Sequence, residues 1–261
     1  MNLKYFFSRF FLDFLRLVRG YYIYIKNFRL LSKNNILKGI KKGKTVFILA
    51  NGPSLNNFDR SILDGKDVIV MNNFDLCKWK NDVNIVAHCI GEPIESSHWG
   101  DDQIEISNNT NAKNYWYHYS VRSHIMRYEN IDKSKSFFFM APVIPEKFFF
   151  NKSIDLSSVT LGYSTTAQMS IMVAVFMGYN KINLLGFDHD LLKNRNIVPH
   201  FYEEGKGAIV VDKSNHSYFS LMKYYIKMWD RYYCLKKVAD KNNIQIINLT
   251  KNSFLDVFPQ S

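Results

Sequence analysis

Residues 45–50 form a short run of strand-forming apolar side chains, and the turn Asn51-Gly52-Pro53-Ser54 follows at once. The run 67–71 repeats this arrangement and ends in Asn72-Asn73, and a third run, 83–88, ends in His88. A polar, aromatic middle then gives way to 165–177, which is apolar over a helical length. Residues 181–188 read as a strand, 218–240 as a second long helix and 244–249 as a last strand. Strands alternating with helices predict an α/β fold: a single doubly wound, mostly parallel, Rossmann-like sheet over 44–261. The stretch from about 92 to 160, rich in Asn, Ser and aromatics, interrupts the alternation and is expected to form a lid or insertion.

Residues 1–43 follow a different rule. Charges interrupt every apolar run there, so a spanning helix is excluded, as is a cleavable signal peptide. At helical spacing Leu3, Phe6, Phe7, Phe10, Phe14 and Leu17 share a face, with Arg9, Arg16 and Arg19 near its margins. Residues 1–44 hold eleven Lys/Arg against one acidic residue, Asp13, whereas the remainder holds 23 against 22. The net charge of +11 is therefore an N-terminal property and not a nucleic-acid-binding face. A basic, aromatic amphipathic helix suits the headgroup region of an anionic membrane. The same pattern also suits a helix packed on the body or in a homo-oligomer contact. The chain is otherwise that of a folded protein, 47% hydrophobic and 22% charged. Its three cysteines lack the spacing of a disulfide framework or zinc site, which points to a reducing cytoplasm.

In a doubly wound sheet, ligands bind beyond the carboxyl ends of the strands. Those ends carry Asn51-Gly52, Asn72-Asn73, His88 and Asp188-His189-Asp190. Gly52 permits a tight turn, Ser54 is placed to cap a following helix, and amide groups at that helix start favour a phosphate. The turn is neither a dinucleotide fingerprint nor a P-loop. Asp188-His189-Asp190 has the spacing of a metal-binding carboxylate pair, a weak pattern that also arises from simple capping. His88, His189, His200 and His216 lie at or after expected strand ends, where an imidazole serves as a base near neutral pH.

In order, 47-Phe-Ile-Leu-Ala-Asn-Gly-Pro-Ser-Leu-55, 70-Val-Met-Asn-Asn-Phe-74, Thr165-Thr166-Ala167, Gly178-Tyr179, 184-Leu-Leu-Gly-Phe-Asp-188, Asn215-His216-Ser217 and Asn252-Ser253 resemble the bacterial sialyltransferases of glycosyltransferase family 42. The resemblance spans roughly 44–255, with 92–160 matching poorly. It implies the sialyltransferase variant of the GT-A fold and an inverting glycosyltransferase that uses a CMP-activated 2-keto-3-deoxy acid sugar. Sialic acid, Kdo, legionaminic and pseudaminic acid are equally open. It also implies that Asn51 and Gly52 approach the nucleotide, that Asn72, with Asn73 beside it, meets the donor, and that Thr165-Thr166 hold the cytosine nucleotide and donor carboxylate. Asp188, next to Gly186, would lie at the nucleotide end. Asp190 stands where the family has a phosphate-binding tyrosine, a hydroxyl that is either missing or supplied by Tyr202, and His88 stands where the family usually has Asn.

On this reading His216, kept neutral at pH 7 by the positive end of the helix it precedes, is the catalytic base, and His200, in a segment able to close over the donor, its rival. No cofactor or metal is expected, because hydroxyls and amides suffice for the single phosphate of a CMP leaving group. The partners are the CMP-sugar, a glycan or lipid-linked oligosaccharide acceptor of a surface polysaccharide, and the inner face of the cytoplasmic membrane through residues 1–40. The opening motif also resembles archaeal hydroxymethylpterin diphosphokinases, which require ATP and a metal. A non-catalytic peripheral scaffold of the same fold is the third alternative.

Overall fold

Strand β1 (Thr45–Leu49) has four consecutive buried residues, so both of its faces are covered, as a central strand of a parallel sheet requires. A computed structural model describes residues 3–91, 109–140, 154–190, 192–193, 200–202 and 217–260. Around β1 the described residues build a seven-stranded sheet, every pairing parallel. Strands β2 (Asp67–Met71), β3 (Asn84–Ile90), β4 (Tyr115–His118) and β5 (Ser136–Phe139) are added in turn on one side. The chain then crosses back, and β6 (Lys181–Leu185) pairs with the other edge of β1, followed by β7 (Gln245–Asn248). The fold is a single Rossmann-like α/β sheet, and β1 and β6 flank its topological switch point.

Alternation along β1 feeds two cores. Val46 and Ile48 point into a cluster with the helices α3 (Thr166–Met177) and α4 (Tyr218–Lys241). Phe47 and Leu49 point into a second cluster, covered by 3-10 turns and the short helix α2 (Arg122–Arg127). All residues of α3 except Val175 are buried, which explains an apolar segment without an amphipathic period. Thr165 caps its start by accepting from Gln168 N, and Gly178 ends it in the left-handed region at φ 94°.

Two expectations change here. The stretch assigned to a lid or insertion supplies β4 and β5, two full members of the sheet. Each has only four residues, the aromatic runs Tyr-Trp-Tyr-His and Ser-Phe-Phe-Phe, too short to show a period. The helix expected after Asn51-Gly52 is a four-residue 3-10 turn, Pro53–Asn56. Ser54 lies inside that turn and caps nothing, and so short a turn has no helical amide end to offer a phosphate.

Helix α1 (Leu3–Ser32) runs thirty residues. Phe11, Phe14, Val18, Tyr21, Ile25 and Phe28 are all exposed, at the three- and four-residue spacing of one helix stripe. No helix among the described residues is long and apolar enough to cross a membrane. The end of α1 and the turn after it belong to the body. Leu31 and Asn34 are fully buried, and Asn34 Nδ2 donates to the carbonyls of Phe138 and Leu156, both at 2.7 Å. Lys33 Nζ donates to three more carbonyls, of Lys133, Ser134 and Ser136.

Candidate active site

The turn after β1 is welded to the turn after β6. Ala50 N donates to Leu185 O at 2.8 Å and Gly52 N to Gly186 O at 3.0 Å. Gly186 takes φ 74°, a conformation natural to glycine, and a Cβ there would lie 2.5 Å from Ala50 O. Gly52 is required for a different reason. Its backbone, at φ −66° and ψ 154°, suits any residue, yet a Cβ would overlap Asp188 Oδ2 and lie 2.5 Å from Gly186 O. Asp188 is turned toward the opening motif: Ser54 Oγ donates to Oδ2 at 2.7 Å and Ser54 N to Oδ1 at 3.2 Å. Its carboxyl is raised above the ordinary range by burial, against the two bonds from Ser54 and with the Asp190 charge adding to the rise. Asp188 and Ser54 are therefore the clasp of the switch point.

A cavity of about 300 Å³ opens at this clasp. Asn51, Gly52, Asn72, Thr165, Thr166, Gly186, Asp188 and His200 all border it, so the fold brings together most of the residues singled out from the sequence. Asn51 follows β1, Asn72 follows β2 and the threonines stand at the start of α3, whose positive end faces the space. Three bordering residues hold buried oxygens without a partner: Asn51 Oδ1, Asn72 Oδ1 and Ser164 Oγ. Buried polar groups are normally satisfied, so three such atoms on residues of one cavity set it apart, although each oxygen is itself shielded from solvent.

His88 does not border the cavity. It lies within β3, two residues before the strand's end, because Cys89 and Ile90 continue the buried run. Its Nε2 is 2.7 Å from Asn72 O, which can only accept, so Nε2 carries the proton and Nδ1 accepts from Thr110 Oγ1 at 2.9 Å. Burial lowers its pKa to about 4 and keeps it neutral. Its part is to hold the Asn72 carbonyl while that residue sits at φ 45°. Asn73 is buried beside Asn72, away from the cavity.

His189, also at positive φ, borders the cavity too, but its Nε2 is engaged with Tyr232 OH at 2.9 Å, and burial lowers its pKa to about 4. Tyr202 borders a neighbouring cavity, its ring stacked on His200 with centroids 4.9 Å apart. Ser54 borders a third cavity on the far side of Asp188. His216 lies outside the described residues. Among the described residues no group of three His, Cys, Asp or Glu is placed to hold a metal ion.

Three residues escaped the sequence reading. Gln168 is fully buried in α3; its Oε1 accepts from Ser164 N at 2.7 Å and its Nε2 donates to Met228 O at 2.8 Å. It ties the cavity rim to α4, and a lone amide inside an apolar helix was its signal. Tyr225 and Met228 line the cavity from α4 and carried no signal beyond helical periodicity. In comparisons with known proteins, the chain matches no family model and no curated protein.

Proposed function

We propose that the protein is an inverting glycosyltransferase that moves a 2-keto-3-deoxy acid sugar from a CMP-activated donor to a surface-glycan acceptor. The observation that carries this reading is the cavity at the switch point. The start of α3 with Thr165 and Thr166 borders it, as do Asn51 and Asn72, whose side-chain oxygens are unpartnered. A nucleotide monophosphate joined to an acidic sugar presents both kinds of complement. Its phosphate and carboxylate suit a helix start with hydroxyls, and its ribose hydroxyls and cytosine amine suit carboxamide oxygens. The 300 Å³ of the cavity lies at the small end of ligand pockets, ~300–1,000 Å³.

In this mechanism amides and hydroxyls stabilise the charge that collects on the departing phosphate. A neutral imidazole takes the proton of the attacking hydroxyl as the donor carbon gains oxocarbenium character. His216, outside the described residues, is the proposed base, and His200, which borders the cavity, is its rival. The metal-dependent kinase alternative needs Asp188 and Asp190 to share a cation, and the turning of Asp188 toward Ser54 weighs against it. The exposed aromatic stripe of α1, with Arg19, Lys26 and Arg29 also exposed, supports placement on the anionic inner face of a membrane beside a lipid-linked acceptor.

The test is transfer from CMP-sialic acid and CMP-Kdo to a panel of glycans, with EDTA present. Turnover is expected in EDTA, with a ~10²–10⁴-fold loss of rate in either His200→Ala or His216→Ala and donor affinity kept. Turnover restored only by Mn²⁺ overturns the metal-free mechanism, and full activity in both variants overturns the histidine base.

A further inference from the structure

Transfer needs a second substrate, and a second cavity of about 570 Å³ opens beside the first, at the carboxyl end of β2. Asn56, Lys78, Trp79, Phe201 and Tyr202 border it. Lys78 and Trp79 follow the 3-10 turn Asn72–Leu76, the same turn that begins with cavity residue Asn72. The two cavities share a partition made of residues 200–202. His200 borders the first, Tyr202 borders the second, and their rings stack nearly parallel, 7° apart in plane. The partition is pinned to the β1 turn: Phe201 N donates to Asn51 O at 2.9 Å, and Asn56 Nδ2 donates to Phe201 O at 3.2 Å.

From this juxtaposition we propose that the second cavity is the acceptor subsite and takes a pyranose ring of the acceptor glycan. The inference rests on the transferase reading above. A pyranose has an apolar C–H face and a rim of hydroxyls, and the cavity offers the matching surfaces. Trp79, Phe201 and Tyr202 supply rigid aromatic walls, which bind apolar faces at little entropic cost. Trp79 is braced edge-on by Phe58 at 5.7 Å and Phe74 at 5.5 Å between centroids. Asn56 spends its Nδ2 on Phe201 and keeps Oδ1 as an acceptor, while the Lys78 ammonium donates to hydroxyls or to an acidic substituent. The His200–Tyr202 stack joins the two cavities, so a sugar seated in the second would carry its hydroxyl toward an imidazole. On this proposal Tyr202 binds the acceptor, where the resemblance had given it the phosphate.

The experiment is saturation-transfer NMR with lactose and maltose at millimolar concentration, run on the full chain and on Trp79→Ala, Tyr202→Ala and Lys78→Ala. CMP affinity is measured calorimetrically on each protein. The expected result is sugar signal from the parent, a ~10-fold weaker affinity in the Trp79 or Tyr202 variant, and CMP affinity within twofold of the parent throughout. Retained CMP binding shows that a variant is folded, and Lys78→Ala, at an exposed position, gives a second reading should Trp79→Ala unfold. No sugar signal from the parent, or an unchanged signal in all three variants, overturns the subsite. Sugar binding without any CMP binding overturns the donor reading and leaves this cavity a glycan site.

Discussion

Substituting Gly52 by alanine isolates the close approach on which the switch point is built. The backbone at φ −66° and ψ 154° accepts alanine without strain, so the whole penalty is steric. The new methyl would lie 2.5 Å from Gly186 O and 2.6 Å from Asp188 Cγ, and would overlap Oδ2 of that carboxylate. Neither neighbour yields easily: Gly186 O accepts from Gly52 N, and Asp188 is bound twice to Ser54. Overpacking of this kind costs ~1–3 kcal/mol, and a backbone neighbour puts the value near ~3 kcal/mol. For a chain of this size that lowers the melting temperature by ~6–12 °C. Calorimetric melts of Gly52→Ala, Asp188→Ala and the double variant measure it. The double variant should lose ~1 kcal/mol less than the sum of the singles, since Asp188→Ala removes one of the two clashes. A melting temperature within ~2 °C of the parent for Gly52→Ala, or a strictly additive cycle, refutes the clasp.

Ser54→Ala should destabilise by ~1–2 kcal/mol at pH 7, the value of a charge-assisted bond at a half-buried carboxylate. The lost bonds favour the ionised form, so the difference from the parent should shrink as pH falls through the raised Asp188 pKa toward 3.8, read as paired melts across that range. His88, His118 and His189 have pKa values lowered from 6.5 to about 4 by burial, so their contribution is complete above 6.5 and is lost as pH falls toward 4. The melting temperature should fall across that window, less steeply in His88→Gln, and an equal slope would remove His88 from the account. Deleting residues 1–28 should leave a stable body, whereas deleting 1–40 removes Leu31, Asn34 and Leu37 and should lower the melting temperature; equal melts would show that this anchor contributes nothing. Liposome sedimentation of the shorter deletion at low salt reads the membrane role separately.

Strands β1, β2 and β6 were legible because each is a run of apolar β-formers closed by Gly or Asn, and α3 because 165–177 is apolar over a helical length; that Thr165 caps it is seen only in the structure. What the sequence hid lies in long-range partnership. Nothing near Asp188 says that its partner is Ser54, 134 positions away, so its spacing with Asp190 reads equally well as a metal site. His88 looked like a strand-end ligand because the run seemed to stop there, while its part in fixing Asn72 depends on the register of β2 against β3. The end of α1 looked separable because Asn34 reads as a surface residue, and only its contacts with β5 and Leu156 bury it.

The most direct test of the central claim is calorimetric titration of the full chain with CMP, beside ATP and Mg²⁺, at neutral pH. The account predicts saturable CMP binding that persists in EDTA, weakens in Asn51→Ala and Thr166→Val, and raises the melting temperature by ~5–10 °C at a hundredfold excess over the dissociation constant. No detectable heat with millimolar CMP, or binding of ATP only with Mg²⁺, would contradict it.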